Sequence, residues 1–156
     1  MHNKNNRRPT VVSVNISKRK GTVKISVPEI YLKKGHGIEN DAHAEDLYRQ
    51  VSLLAVESVD KLRDRVPNIE SGAFAENILT SGICLYELPI GTKLCIGGTT
   101  LEVTQIGKEC FNNGCTIKQQ TGDCVMPREG IFATVLCDGI IKPGDKIEVE
   151  VESNID

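Results

Sequence analysis

Short runs in which apolar and polar residues alternate one by one, set on either side of tight turns, constrain this chain most. Val12, Val14 and Ile16 alternate with Ser13, Asn15 and Ser17. After the basic stretch Lys18-Arg19-Lys20-Gly21, Val23, Ile25 and Val27 alternate with Thr22, Lys24 and Ser26. A period of two puts every second side chain on one face of a strand, so the pair reads as a β-hairpin with its apolar face turned inward. Pro28 has no amide to give a ladder, so it ends the second strand or marks it as an edge. The same rhythm returns at Ile147, Val149 and Val151 against Glu148, Glu150 and Glu152, behind the turn Lys142-Pro143-Gly144-Asp145. Gly97-Gly98 separates two further β-prone runs, 93–96 and 99–106, and both glycines tolerate the positive φ of a two-residue hairpin. The runs 50–54 and 131–137 are apolar throughout and short enough to be strands buried on both faces. A further candidate strand covers 75–79 and ends near Gly82.

Helical spacing is confined to one place. Ala55, Val59, Leu62 and Val66 recur at intervals of three and four, and Pro67 stops the run, which predicts the longest helix over 55–66. Glu57 and Lys61 are set four apart in the favourable order for a surface pair on it. Residues 35–46, rich in Gly, His and acids, read as a loop. The expectation is a mainly β protein with a few short helices: one domain over 10–152, a barrel or sandwich, preceded by a disordered basic arm at 1–9 and followed by a tail at 153–156.

Composition narrows the function. The chain has 156 residues, 39% of them hydrophobic, which is enough for one core and excludes global disorder. A formal net charge of -2 argues against a basic nucleic-acid coat, and three Phe, three Tyr and no Trp leave little to stack bases on. Residues 1–34 hold nine Lys or Arg against one Glu, a formal +8, so the remainder sums to -10. A basic face for a phosphate-bearing ligand is one reading, and a solvated strand face with a free arm is the preferred one. No apolar run approaches bilayer length, and the polar start has no secretory hydrophobic stretch, so a cytoplasmic protein with reduced thiols and no membrane partner is expected.

None of the six cysteines forms a CxxC pair, so the ordinary zinc-ribbon and thioredoxin spacings are absent. Reactive residue types are densest at Gly107-Lys108-Glu109-Cys110-Phe111-Asn112-Asn113-Gly114-Cys115, with Cys124 further on. Cys110 directly follows a predicted strand, in a turn-forming stretch, and Lys108 is a cation able to favour its thiolate. A thiolate there can attack sulfur, hold a persulfide or bind a soft metal, and Cys115, turned back by Asn113-Gly114, can resolve it. The alternative is that these thiols are small buried hydrophobes. Structural zinc on Cys110, Cys115 and Cys124 would need a distant fourth ligand such as His43 or Cys137 and is disfavoured. Cys84, Cys95 and Cys137 lie in or beside predicted strands and read as packing residues. A second cluster pairs Asp41 with His43, two apart, able to orient each other, bind a metal or move a proton, although a loop held by side-chain to backbone hydrogen bonds is the preferred reading. Arg49 can recognise an anion or cap that loop. Glu76-Asn77 at a strand entrance offers polar contacts to a ligand or satisfies a turn.

Four segments, GIENDAHAEDLYRQVSLLAVES (37–58), GAFAENILTSGI (72–83), LPIGTKLCIGGTTLEVTQIGKEC (88–110) and GDCVMPREGIFATVLCDGIIKPGDKI (122–147), resemble, in order, the MOSC family, the domain found at the C-terminus of molybdenum cofactor sulfurases and as small stand-alone bacterial proteins. The resemblance implies a MOSC-like β-barrel and a role in sulfur transfer around the molybdenum cofactor. It implies that Cys110 is the working thiol, carrying sulfur as a persulfide received from a pyridoxal-phosphate-dependent cysteine desulfurase. Pyridoxal phosphate then belongs to that partner and not to this chain, and the acceptor is a metallo-pterin or another molecule. It places Asp41, His43, Glu76 and Asn77 on family motif positions lining one pocket. In members that bind the finished cofactor and reduce N-hydroxylated compounds, a cysteine of this domain ligates molybdenum. That makes Cys110 a metal ligand in the alternative reading; a non-catalytic binding partner in cofactor assembly is the other. No desulfurase domain and no companion β-barrel domain accompany these segments, which implies a carrier or a partner-dependent role.

Overall fold

The computed structural model of the protein describes residues 8–19, 24–42, 44–45, 49–61, 69–107 and 129–150. Among these residues the chain forms β1 (Thr10–Ile16), β2 (Ile25–Val27), β3 (Ile30–Lys33), β4 (Gly37–Ile38), β5 (Val51–Ala55), α1 (Val56–Asp60), β6 (Ile78–Ser81), β7 (Lys93–Ile96), β8 (Thr99–Ile106), β9 (Ile131–Cys137), β10 (Gly139–Ile141) and β11 (Ile147–Glu150). Eight strands make one sheet in the order β11-β7-β8-β9-β5-β6-β1-β2, and β10-β3-β4 make a second. The protein is mainly β, as the alternation requires. Closure into a barrel does not follow from the strand pairing: among the described residues the large sheet runs from β11 to β2, and β1 meets the β11 side at an isolated bridge, Thr10 with Lys146, and the main-chain bonds around it.

The predicted first hairpin forms, with Val14 opposite Val27 and Ile16 opposite Ile25. Its inward face is the expected one in part: Val14 is buried and Ile16 and Val27 pack against the main core, whereas Val12 and Ile25 turn out. The β1–β6 ladder shifts register between Val11 and Ser13, and the extra residue turns Val11 inward and leaves Val12 41% exposed. On β2, Ile25 is 70% exposed while Lys24, just before the strand, is buried. A three-residue edge strand gives Ile25 little to pack against, and Lys24 is drawn in by a carboxylate described below.

The centre of the sheet matches the apolar runs. All five residues of β5 are buried, and so are Ile131, Phe132 and Ala133 at the start of β9. β5 runs parallel to β6 and antiparallel to β9. It separates two apolar clusters. Val51, Leu53 and Ala55 join the main core, while Leu54 packs with Val59, Ile69, Phe74, Leu79 and Phe132. Each fully buried aliphatic side chain contributes about 1.5–3 kcal/mol, so this strand fixes the centre of the fold. α1 follows β5 directly, and residues 62–68, the rest of the predicted helix, lie outside the described residues. The predicted Glu57–Lys61 pair gives way to other partners. Glu57 accepts the Gly82 amide at 2.8 Å, and Lys61 pairs with Glu129 at 2.8 Å.

β7 and β8 form the Gly97-Gly98 hairpin, with Ile96 opposite Thr99. Only Gly97 takes a positive φ, and a Cβ there would lie 2.5 Å from Asp145 and 2.8 Å from the Ile140 carbonyl. The predicted strand at 75–79 starts later, at Ile78, because Ala75 takes φ 64 and residues 71–74 form a turn. The loop read over 35–46 contains β4, which adds to β3 through Leu32 opposite Ile38.

Candidate functional site

Asp41 sits at the centre of a buried ion pair. Its Oδ1 lies 2.7 Å from the Lys24 ammonium, neither side chain has exposed surface, and the Ser17 amide donates to the same oxygen at 3.1 Å. Lys24 also reaches the Ser17 hydroxyl at 3.4 Å. The carboxylate therefore joins the end of β1, the approach to β2 and the loop after β4. This is the loop-holding role, with the main-chain amide coming from a distant segment. His43, the proposed companion of Asp41, lies outside the described residues. Arg49 is half-buried beside Gln50, whose side chain accepts the Val135 amide at 3.0 Å and ties β5 to β9.

Glu76 and Asn77 form a second web. Asn77 has no exposed surface. Its Oδ1 accepts the Ser52 amide at 3.0 Å and the Ser52 hydroxyl at 3.2 Å, and its Nδ2 donates to the Asn15 carbonyl at 3.0 Å. One side chain thereby links β5, β6 and β1. Asn15 returns the contact by donating to the Glu76 carbonyl at 3.2 Å and accepting from the Ser26 hydroxyl at 2.8 Å. The Glu76 carboxylate takes the Gly72 amide at 2.7 Å and the Phe74 amide at 3.1 Å, folding residues 72–75 back on themselves. Burial pushes its pKa up from the ordinary glutamate value, while those amides and the Lys24 charge pull the other way.

Gly72 joins the two webs. The Lys24 amide donates to its carbonyl at 2.9 Å, its φ is +87, and a Cβ there would lie 2.1 Å from the Lys24 carbonyl oxygen. Gly72→Ala is expected to cost about 2–4 kcal/mol, from strain in φ and from displacement of the Lys24 backbone. Urea unfolding checks this, and a midpoint equal to that of the wild type would show that no close approach exists. Lys24, Ser17, Asn15 and Ser52 were not singled out in the sequence. The available signal was a lysine and an asparagine inside otherwise regular alternation.

Cys110, Lys108, Cys115 and Cys124 lie outside the described residues, but the stem that carries their segment is described. β8 and β9 end side by side, with Ile106 opposite Ile131, and the Gly107 amide donates to the Gly130 carbonyl at 2.6 Å. Gln105 braces this stem through the Gly107 carbonyl at 2.8 Å. Residue 110 is three positions beyond Gly107. The register runs on from Ile106 and Ile131 to Leu53, so the stem leaves the sheet at the end where β5 passes into α1. There Lys61 bonds Glu129, the residue before Gly130, and its ammonium lies 5.7 Å from the Tyr86 ring centroid.

The other thiols do not pack as expected. Cys84 and Cys137 are exposed and Cys95 is half-buried, all three free. Cys84 precedes a 3-10 turn at Leu85–Glu87, Cys137 is the last residue of β9, and Cys95 lies between Glu148 and Thr100 on the outward face of β7. Among the described residues no three His, Cys, Asp or Glu side chains gather closely enough to hold a metal ion. No described helix is long and apolar enough to cross a membrane.

The geometry is similar to that of several small bacterial proteins. The crystal structure of the YuaD protein from Bacillus subtilis matches with a TM-score of 0.77 at 20% identity, over 92% of this chain and 96% of that one. YiiM from Geobacillus stearothermophilus matches with a TM-score of 0.69 at 19% identity, covering 92% of this chain and 75% of its own. YiiM from Escherichia coli gives 0.64 at 20% identity, over 94% and 71%. No curated protein matches the sequence. The family model of the MOSC domain matches residues 39–148, a span that begins two residues before Asp41 and takes in Glu76, Asn77, the β8–β9 stem and Cys110. With well over half of its length inside that match, the chain belongs to the MOSC domain family.

Proposed function

We propose that the protein is a sulfur carrier of molybdenum cofactor metabolism, with Cys110 as the thiol that holds the sulfur. The observation that carries this reading is the family match over residues 39–148, which includes a cysteine three residues past a braced two-strand stem. A stem held by the Gly107–Gly130 bond and by Lys61–Glu129 gives a segment a fixed base, the usual arrangement for a working loop. In the proposed step the Cys110 thiolate attacks the outer sulfur of a persulfide on a cysteine desulfurase. The donor's S–S bond breaks, the donor thiolate leaves, and a new S–S bond forms on Cys110. Lys108 favours the attacking thiolate. Cys115 is placed in sequence to displace the sulfur or to close a reversible disulfide. His43 and Arg49 are the further polar and cationic groups of the proposed site, while Asp41, Glu76 and Asn77 hold together the sheet on which it is built.

The test is incubation with a cysteine desulfurase and cysteine, followed by intact mass measurement. The wild type is expected to gain the mass of one sulfur atom and Cys110→Ala to gain none; loading of the variant equal to the wild type would remove Cys110 from the role. Stoichiometric molybdenum in natively purified protein would instead favour the cofactor-binding redox module, with Cys110 as metal ligand.

A further inference from the structure

The outer face of the small sheet carries a charge pattern that the sulfur chemistry does not use. Its inner face is given over to the core, where Ile30, Leu32, Ile38 and Ile141 pack. Alternation turns the residues between them outward. Tyr31 is 49% exposed, and Ile140, directly opposite it on β10, is 41% exposed. Together they give this face an apolar centre. Glu29 lies two residues before Tyr31 and Lys33 two residues after it. Glu29 shares the face, because the Tyr31 hydroxyl donates to its Oε2 at 2.7 Å, and Lys33 is exposed on it. Continuing the β3–β10 register by one residue at each end sets Asp138 beside Lys33 and Lys142 beside Glu29, and both are exposed.

We propose that this face is an interface between two copies of the chain, related by a two-fold axis that runs across the strands through Tyr31 and Ile140. On each strand the charges stand at equal spacing, about 6.5–7 Å, to either side of that axis. Turning one copy over about the axis sets Glu29 of one copy over Lys33 of the other, and Asp138 over Lys142, with each contact made twice. Tyr31 and Ile140 meet their own counterparts at the centre, where an aromatic side chain with few rotatable bonds loses little entropy on docking. An axis parallel to the strands would instead bring Glu29 onto Glu29 and Lys33 onto Lys33, so the charges select one geometry over the other. Glu39, whose amide donates to the Tyr31 carbonyl, is exposed at the end of β4. It meets its own copy at the rim, where water and salt screen the repulsion.

Sedimentation velocity of the full chain over a range of concentrations tests this. A monomer–dimer equilibrium is expected for the wild type. Glu29→Lys and Lys33→Glu each bring like charges together twice across the axis, and each is expected to weaken the dimer at least about tenfold. The double variant, with the two charges exchanged, restores the complementary pattern and is expected to recover most of the wild-type affinity, which also shows that the single losses are not failures to fold. A chain that stays monomeric at every concentration overturns the proposal. So does a dimer that both single reversals leave unchanged, which would assign the interface to another face, or a double variant weakened as much as the two single losses together.

Discussion

Asp41→Ala is expected to cost about 3–5 kcal/mol of folding stability, because it leaves the Lys24 ammonium buried without its carboxylate. The pair is 2.7 Å apart with no exposed surface on either side chain, so neither solvent nor salt can take over the lost interaction. The Ser17 amide also loses its acceptor. Replacing both partners with apolar residues of similar size, Lys24→Met with Asp41→Leu, is expected to recover most of the loss, since desolvation of the ion pair disappears with it. Urea titration of the two single variants and the double variant gives the coupling. Strict additivity of the single losses would show that the two residues do not act as a pair.

Asn77→Ala is expected to be as damaging, again about 3–5 kcal/mol. It strands the Ser52 amide and takes a donor from the Asn15 carbonyl in the interior, and each such orphaned group costs about 1–3 kcal/mol, while the Ser52 hydroxyl keeps the Ala75 carbonyl and the residue 77 amide. The damage falls where β5, β6 and β1 join, so hydrogen exchange in all three strands is expected to accelerate together. Asn77→Asp keeps the acceptor for Ser52 but loses the donor to Asn15 and buries a charge, so it is not a rescue. Thermal melts order the variants, and a melting temperature for Asn77→Ala within a degree or so of the wild type would contradict the role given to this side chain.

These two residues show how far the sequence could be read. The strands β5 and β9, the Gly97-Gly98 hairpin and the turn before β11 were legible because each rests on local chemistry: apolar runs, glycine freedom, and the side chain of Asp145 closing on the Lys142 amide. Asp41 stood out as an acid in a loop, and Glu76 and Asn77 as polar residues at a strand entrance. Their partners did not. Lys24 and Asp41 are seventeen residues apart and Asn15 and Asn77 sixty-two, and no periodicity signals that a lysine from a strand edge will be pulled inward by a distant carboxylate. The bulge that exchanged Val11 for Val12 was hidden for the same reason, since it is set by the register with β6 and not by the β1 sequence. The small sheet of β3, β4 and β10 is assembled across more than a hundred residues from strands of two to four, too short for alternation to declare them. Cys84 and Cys137 read as core because cysteine is so often buried, whereas their positions in a turn and at a strand end leave them exposed.

That exposure sharpens the test of the proposed chemistry. A generally reactive sulfur donor would modify any accessible thiol, and the structure offers Cys84 and Cys137 as accessible competitors. Peptide mapping by tandem mass spectrometry, after one round of loading by a desulfurase and blocking of free thiols, locates the added sulfur among the six cysteines. A carrier acting through Cys110 predicts a persulfide on the peptide containing that residue, with Cys84 and Cys137 recovered as blocked thiols. A persulfide spread over Cys84 and Cys137, or absent from the Cys110 peptide, would contradict it.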